Sequence, residues 1–310
     1  MSISRKAKAI PLTVKIVTGV SVIFLIIFSI IFFSNSGEET IGGPIARTAE
    51  NPAGITAAHP QTPIAPGTAD PDREAFVEDF WRWVLGEAGI PERMTRNIIA
   101  SVIESPAFIM ELLVVLQQAP YTFVLVDKQH ALPLDYSPDD LVRLTIGSAF
   151  RITRDDLWLR RSAAVSLEEM AAAATADGVI LTAASTYRSA ARQTEIFRWQ
   201  VNTFGLEAAE RQSARPGHSQ HQLGTAVDFF PINDAFGDTA ASRWLVQNAS
   251  RFGWSLSYPD GYEHITGYRF EPWHYRYVGR ELAVLIDTYF EGIQQFALQF
   301  IKAWQEHALL

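Results

Sequence analysis

Residues 16–33 run for eighteen positions without a charged side chain, and Arg5, Lys6, Lys8 and Lys15 precede them. A helix rises ~1.5 Å per residue, so a run of this length covers roughly the hydrocarbon thickness of a bilayer. Basic residues ahead of a span hold that end inside. The pattern predicts a cytoplasmic basic tail over 1–15, a single-pass transmembrane anchor over 16–33, and everything beyond it on the periplasmic or cell-wall side. A cleaved signal peptide is the rival reading. Against it, Ser34, Asn35, Ser36 and Gly37 offer no clear small-x-small cleavage site, and the run is long for a signal segment. Both readings place the rest of the chain outside the cytoplasm.

An exported chain commonly uses disulfides, yet this one has no cysteine. It must fold on its core alone, which its length permits, and it cannot be lipidated on an N-terminal cysteine. The net charge is −8, and the only basic cluster lies before the apolar run, where topology accounts for it. Nucleic acid is therefore excluded as a partner class. Residues 34–72 are rich in Pro, Ala, Gly and Thr without apolar periodicity, the composition of a flexible linker.

The folded part is expected from about Arg73, with a helical extension over 73–118, a catalytic domain over 119–280 and a C-terminal helical extension over 281–310. Phe76, Phe80, Val84 and Leu85 recur at helical spacing. Residues 98–116 are hydrophobic enough to suggest a second span, but Glu104, Pro106 and Glu111 interrupt them. Charges at the centre of a span cost several kcal/mol, so a buried helix pair is expected instead. Residues 121–126 read as a strand, 159–177 as a helix stopped by Gly178, 179–184 as a strand, 190–204 and 240–250 as helices, and 281–307 as one long amphipathic helix or two. Mixed helices and short strands without a repeat predict an α+β domain.

Within that frame, His218-Ser219-Gln220-His221-Gln222-Leu223-Gly224-Thr225-Ala226-Val227-Asp228 concentrates two histidines and an aspartate. Gly217, Gly224 and the β-prone Thr225, Val227, Phe229 and Phe230 argue against a helix. His221 before a turn at Gly224, with Asp228 on the strand that follows, brings both side chains to one point. A catalytic zinc site takes three protein ligands and keeps one position for water, so a third is needed. Glu271-Pro272-Trp273-His274 can supply His274, with Glu271 as a base three residues away. Taken singly, His221, Asp228 and His274 also admit structural explanations, since no two form an HExxH-type motif. His218 competes with His221 as a ligand, or orients a neighbouring group, or faces solvent. His264, beside Glu263 and between Gly261 and Gly267, reads as a loop residue.

Two motifs carry a resemblance. Ser219-x-His221-x-x-Gly224-x-Ala226-x-Asp228 is similar to the first signature of the VanY-related zinc D,D- and L,D-carboxypeptidases, and Glu271-x-Trp273-His274 to the second. The likeness runs from about Tyr121 to Gly279. It implies a Hedgehog/D,D-peptidase-like zinc peptidase fold, a small antiparallel sheet with flanking helices, here with extra terminal helices. It also implies zinc on His221, Asp228 and His274, Glu271 as general base, and Arg188 facing the substrate carboxylate or the scissile carbonyl. Gln193, Ser219 and Trp273 are implied at the substrate as well. Three positions depart from the pattern: Gln220 where Glu is usual, Thr186 where Gly is common, and Ser257 where Arg often precedes Tyr258-Pro259.

The implied activity is a monomeric zinc carboxypeptidase that removes the C-terminal D-alanine of peptidoglycan stem peptides, with D,D specificity favoured over L,D. The Arg188 fork suits a terminal carboxylate or an oxyanion equally. A cross-link endopeptidase and an inactive wall-binding domain are the alternatives. Acyl transfer through Ser185 or Ser219 lacks the S-x-x-K arrangement.

Overall fold

The computed structural model describes residues 79–307 apart from 81, 85, 87, 105–106 and 146–148. The expectations for the basic tail, the apolar run and the linker fall outside the described residues, as does part of the 74–86 helix, of which 79–80, 82–84 and 86 are described and helical. Two helices open the described fold, α1 (Glu92–Glu104) and α2 (Ala107–Leu116). They are followed by β1 (Leu141–Arg143), β2 (Arg151–Ile152), β3 (Trp158–Arg160), α3 (Arg161–Ala176), β4 (Thr182–Ser185), α4 (Ala190–Phe204) and α5 (Leu206–Gln212). The second half contains β5 (Ala226–Phe229), α6 (Ala240–Asn248), β6 (Trp254–Leu256), the one-turn α7 (Glu263–Thr266), β7 (His274–Tyr277), α8 (Arg280–Tyr289) and α9 (Gln294–His307).

This is an α+β fold built on a five-stranded sheet in the order β2-β4-β5-β7-β6. Its pairs are antiparallel except β2 with β4, which run parallel, and β1 with β3 forms a separate antiparallel ribbon. The parallel pair arises because α3 carries the chain from β3 back across the sheet before β4 begins. Leu167, Met170, Ala171 and Ala174 of α3 pack with Val227, Phe229 and Tyr275 of the central strands in one buried cluster. The alanine-rich face of α3 lets the helix approach the sheet closely, and Gly178 (φ 76°) ends it where the sequence predicts.

The hydrophobic stretch at 98–116 is a pair of helices with its apolar side buried: Phe108, Ile109, Leu112 and Leu113 are all covered. Phe108 meets Tyr289 of α8 edge-on at 4.8 Å and Phe300 of α9 at 5.5 Å. Among the described residues no single helix is long and apolar enough to cross a membrane. The C-terminal segment resolves into two helices, α8 and α9, broken where Glu291 (φ 54°) and Gly292 (φ 75°) turn the chain.

The expected strand at 121–126 is not formed. Pro120 starts a 3-10 turn through Thr122, and the carbonyls of Tyr121, Thr122 and Val124 converge on Nη2 of the buried Arg276, at 3.1, 3.3 and 2.9 Å. A guanidinium that collects three carbonyls curls the segment and satisfies acceptors that a strand partner would otherwise take.

Candidate metal centre

Strand register assembles the site. Asp228 on β5 sits directly opposite His274 on β7, and Ser185 at the end of β4 pairs with Asp228 from the other side. Opposed residues of antiparallel strands project to the same face, so Asp228 and His274 meet without any special loop. His221 arrives from the 3-10 turn Gln220–Leu223, whose C-cap Gly224 is left-handed (φ 72°). A side chain at Gly224 would be strained, and its Cβ would also crowd Leu141, Pro138 and Arg160 at 3.0–3.3 Å. The buried Arg160 fixes this turn further by donating from Nε to the Leu223 carbonyl at 3.0 Å.

The result is one cluster of three potential ligands. Atoms of His221, Asp228 and His274 all lie within 4.8 Å of one another, and all three residues are buried. His221 Nε2 is 3.1 Å from Asp228 Oδ2, and His274 Nδ1 is 2.9 Å from Asp228 Oδ1. The second approach lacks hydrogen-bond geometry, so Oδ1 is a buried carboxylate oxygen without a hydrogen-bond partner. A buried carboxylate that faces one imidazole nitrogen with each oxygen, one of those oxygens orphaned, is what a shared cation satisfies. The outer ring nitrogens complete the fit: His221 Nδ1 lies 2.7 Å from the Thr186 carbonyl, and His274 Nε2 lies 3.2 Å from Gln220 Oε1. Each ring thus gives its proton to an oxygen and keeps a lone pair for the cluster.

The electrostatics agree. Burial, then the Arg188 charge, pushes His221 down to about 4, so it stays neutral as a ligand must. Burial alone would raise Asp228, but His221 and His274 outweigh it and hold the carboxyl well below the usual range. Glu271 lies just before β7 with Oε2 3.7 Å from His274 Nδ1. Burial, with the Asp228 charge behind it, pushes Glu271 up to about 8. These groups open onto a cleft of about 280 Å³ whose wall includes Arg188, Ser219, Tyr258, Tyr268 and Trp273.

Residues 156–280 match the VanY family model, described as D-alanyl-D-alanine carboxypeptidase. The chain is 38% identical over 193 residues to YodJ of Bacillus subtilis strain 168, which carries the name of a carboxypeptidase; the match covers 58% of this chain and 71% of that one. It is 32% identical over 214 residues to a D-alanyl-D-alanine carboxypeptidase of Enterococcus faecalis, covering 66% and 72%. This chain belongs to the VanY family. Its structure also resembles the LdcB LD-carboxypeptidase, with a TM-score of 0.50 at 38% identity, over 57% of this chain and 89% of that one.

Within this VanY-family site, Arg188 sits on the cleft wall, donating to Gln193 Oε1 at 2.7 Å and Ser185 Oγ at 3.0 Å, with Asp228 Oδ2 3.6 Å away. Gln193 does not reach the cleft. It is buried behind Arg188, with its Oε1 accepting from the arginine and its amide nitrogen donating to the Ala214 carbonyl at 2.6 Å. Ser219 and Trp273 line the cleft. His218 lies outside the cluster, its Nδ1 2.7 Å from the Asp127 carbonyl, and His264 is exposed on α7 instead of in a loop.

Sequence reasoning missed the aromatic wall. Tyr258 packs against the His274 ring at 4.8 Å, and Tyr268 has a buried hydroxyl without a hydrogen-bond partner beside the cleft. Burial raises both phenols above their ordinary value, so they remain donors. Only the Tyr258-Pro259 pair had a signal in the sequence, through the motif around it.

Proposed function

We propose that this protein is a zinc-dependent carboxypeptidase that removes the C-terminal D-alanine from peptidoglycan stem peptides, with D,D specificity. The observation that carries this reading is the placement of a neutral-histidine, carboxylate and histidine cluster, a buried glutamate and a fixed arginine fork around one cleft. His221, Asp228 and His274 would hold the zinc. When bound, zinc supplies Lewis acidity toward a carbonyl oxygen and toward water.

The protein's own groups do the rest. Glu271 accepts the proton that water loses as its oxygen bonds to the scissile carbonyl carbon, and returns a proton to the departing amine as the C–N bond breaks. Arg188, held by Gln193 and Ser185, presents its remaining donor edge to the free carboxylate of the terminal D-alanine. The tyrosine hydroxyls of Tyr258 and Tyr268 line the same wall as donors. The cleft volume suits a short peptide terminus, at the low end of ligand pockets, which run from ~300 Å³.

D,D cleavage is favoured by the relationship to the Enterococcus faecalis carboxypeptidase, and the likeness to LdcB supports L,D cleavage as the second reading. Incubation with pentapeptide, tetrapeptide and C-terminally amidated pentapeptide, with products identified by mass, tests both. D,D activity releases one alanine from the pentapeptide alone. Release from the tetrapeptide alone moves the specificity to L,D, and equal cleavage of the amidated peptide removes the carboxylate clamp.

We further infer that 119–280 is the catalytic domain, that the protein is a monomer, and that residues 16–33 remain as a membrane anchor, with 34–72 giving the domain reach toward wall peptides. Intact mass of the membrane-fraction protein tests the anchor. A mature N-terminus after Phe33 would show a signal peptide instead.

A further inference from the structure

Two of the three departures from the family motifs, Gln220 and Ser257, meet in space. Gln220 Oε1 faces His274 Nε2 at 3.2 Å and accepts from Ser257 Oγ at 2.7 Å. The Gln220 amide nitrogen donates to Gln294 Oε1 at 3.2 Å, and the Gln294 amide nitrogen donates to the Ser255 carbonyl on β6 at 3.3 Å. All three side chains are buried, Gln294 to 1% exposure and Gln220 to 3%. Gln294 opens α9, outside the residues that match the family model.

These contacts carry a direction. An acidic side chain at 220 would offer only acceptor oxygens, so either end could take the His274 proton. A glutamine has a donor end and an acceptor end of nearly the same shape, and only one orientation serves. With the donor end toward His274, Nε2 would have to accept, the proton would move to Nδ1, and the lone pair that faces Asp228 would be lost. Ser257 Oγ can donate to an oxygen or accept from a nitrogen at the end it faces, so it does not choose between the two. The choice is made from the other side: the backbone carbonyl of Ser255 can only accept, so it turns the Gln294 amide nitrogen toward itself and Oε1 toward Gln220. That oxygen in turn fixes the Gln220 nitrogen, and Gln220 Oε1 is left for His274.

We propose that Gln294 of the C-terminal helix is a positioning residue for the metal centre, setting the His274 tautomer through Gln220 by a neutral relay anchored on the Ser255 carbonyl. The relay does by hydrogen-bond direction what a charge at 220 does without orientation, and it avoids placing a buried carboxylate beside the ligand. It makes α9 part of the site despite its distance in sequence. The inference rests on the zinc reading for its purpose, but its first readout is taken without metal or substrate.

The test uses the full chain, stripped of metal and labelled with 15N-histidine. Long-range proton–nitrogen NMR reads which nitrogen of His274 carries the proton, the signal being assigned by its loss in His274→Asn. The expected parent form is Nε2–H; an Nδ1–H ring overturns the proposal without any further variant. Zinc affinity is then measured by chelator competition for the parent, Gln294→Leu, Gln220→Glu and the double variant. Removing an outer partner of a ligating histidine weakens metal binding by roughly 10–100-fold, so Gln294→Leu should lose about tenfold and show mixed His274 tautomers. Gln220→Glu should rescue Gln294→Leu, because a carboxylate has no donor end to misplace. If Gln294→Leu lowers only thermal stability, keeping the parent tautomer and zinc affinity within about twofold, the residue merely packs the helix and the relay is wrong. A chain that shows the expected tautomer, loss and rescue but fails to cleave stem peptides supports the relay and overturns the carboxypeptidase reading.

Discussion

Metal-free protein carrying Glu271→Gln should be more stable than the parent at pH 8 and equal to it at pH 4. The glutamate is 8% exposed, and burial is the main cause that lifts it from its ordinary 4.5 to about 8. Asp228 adds to the rise, while Arg269, Arg188 and Lys128 pull the other way. Between those two values the folded chain keeps a proton that the unfolded chain has lost. Stability therefore falls as pH rises through this window and is fully present below it. At ~1.4 kcal/mol per unit, the parent's loss by pH 8 has a ceiling of ~4 kcal/mol, reduced where water enters the cleft to solvate the anion. Glutamine does not ionise and suffers no such loss. Urea denaturation of both proteins at pH 4, 6 and 8, without metal, measures the gap. A bound zinc ion places positive charge beside the carboxyl, so added zinc should close it. A gap that is the same at all three pH values would refute the reasoning, since Glu271 would then titrate in the folded state as it does in the unfolded chain.

Arg188→Lys should lower kcat/KM on a free-acid pentapeptide by ~30–100-fold with zinc content unchanged, because a single ammonium does not reproduce a fork held by Gln193 and Ser185; steady-state kinetics beside the amidated peptide checks it. Asp127 accepts from the backbone nitrogens of Gln129 and His130 at 2.8 and 2.9 Å and from Gln295 at 2.7 Å, and these bonds overcome the upward push of burial and hold its pKa below the ordinary 3.8. Its contribution is present above the unfolded value and is lost as pH falls through the folded one, so the stability gap between the parent and Asp127→Ala, ~2 kcal/mol at neutral pH, should shrink toward pH 3. Phe300→Ala should cost ~3–5 kcal/mol by urea midpoint, since its ring is fully buried against Phe108 and Phe290.

Where local chemistry decides conformation, the sequence was readable. Gly178 and Gly224 had to be turns, and the His221-turn-Asp228 arrangement followed from Gly224 and the β-prone residues after it. Glu104, Pro106 and Glu111 marked 98–116 as a broken, buried pair. What stayed hidden depends on partners distant in the chain. The aromatic run at 121–126 has the composition of a strand, but Arg276, more than 150 residues later, gathers its carbonyls. Nothing near Gln193 says that its amide would be spent on Ala214 and Arg188. Gln220 and Ser257 stood out as departures, yet their meaning needed Gln294, brought beside them by α9. The parallel β2–β4 pair rests on a two-residue strand, too short to leave a periodic signal.

The central claim is that His221, Asp228 and His274 hold one zinc ion beside Glu271. Crystals of the zinc-loaded protein, with anomalous maps collected on both sides of the zinc absorption edge, test it most directly. The account predicts a single peak about 2.0–2.2 Å from His221 Nε2, His274 Nδ1 and an Asp228 carboxylate oxygen. A peak coordinated by His218 or His264, or no peak at the three residues in protein that carries zinc, would contradict it.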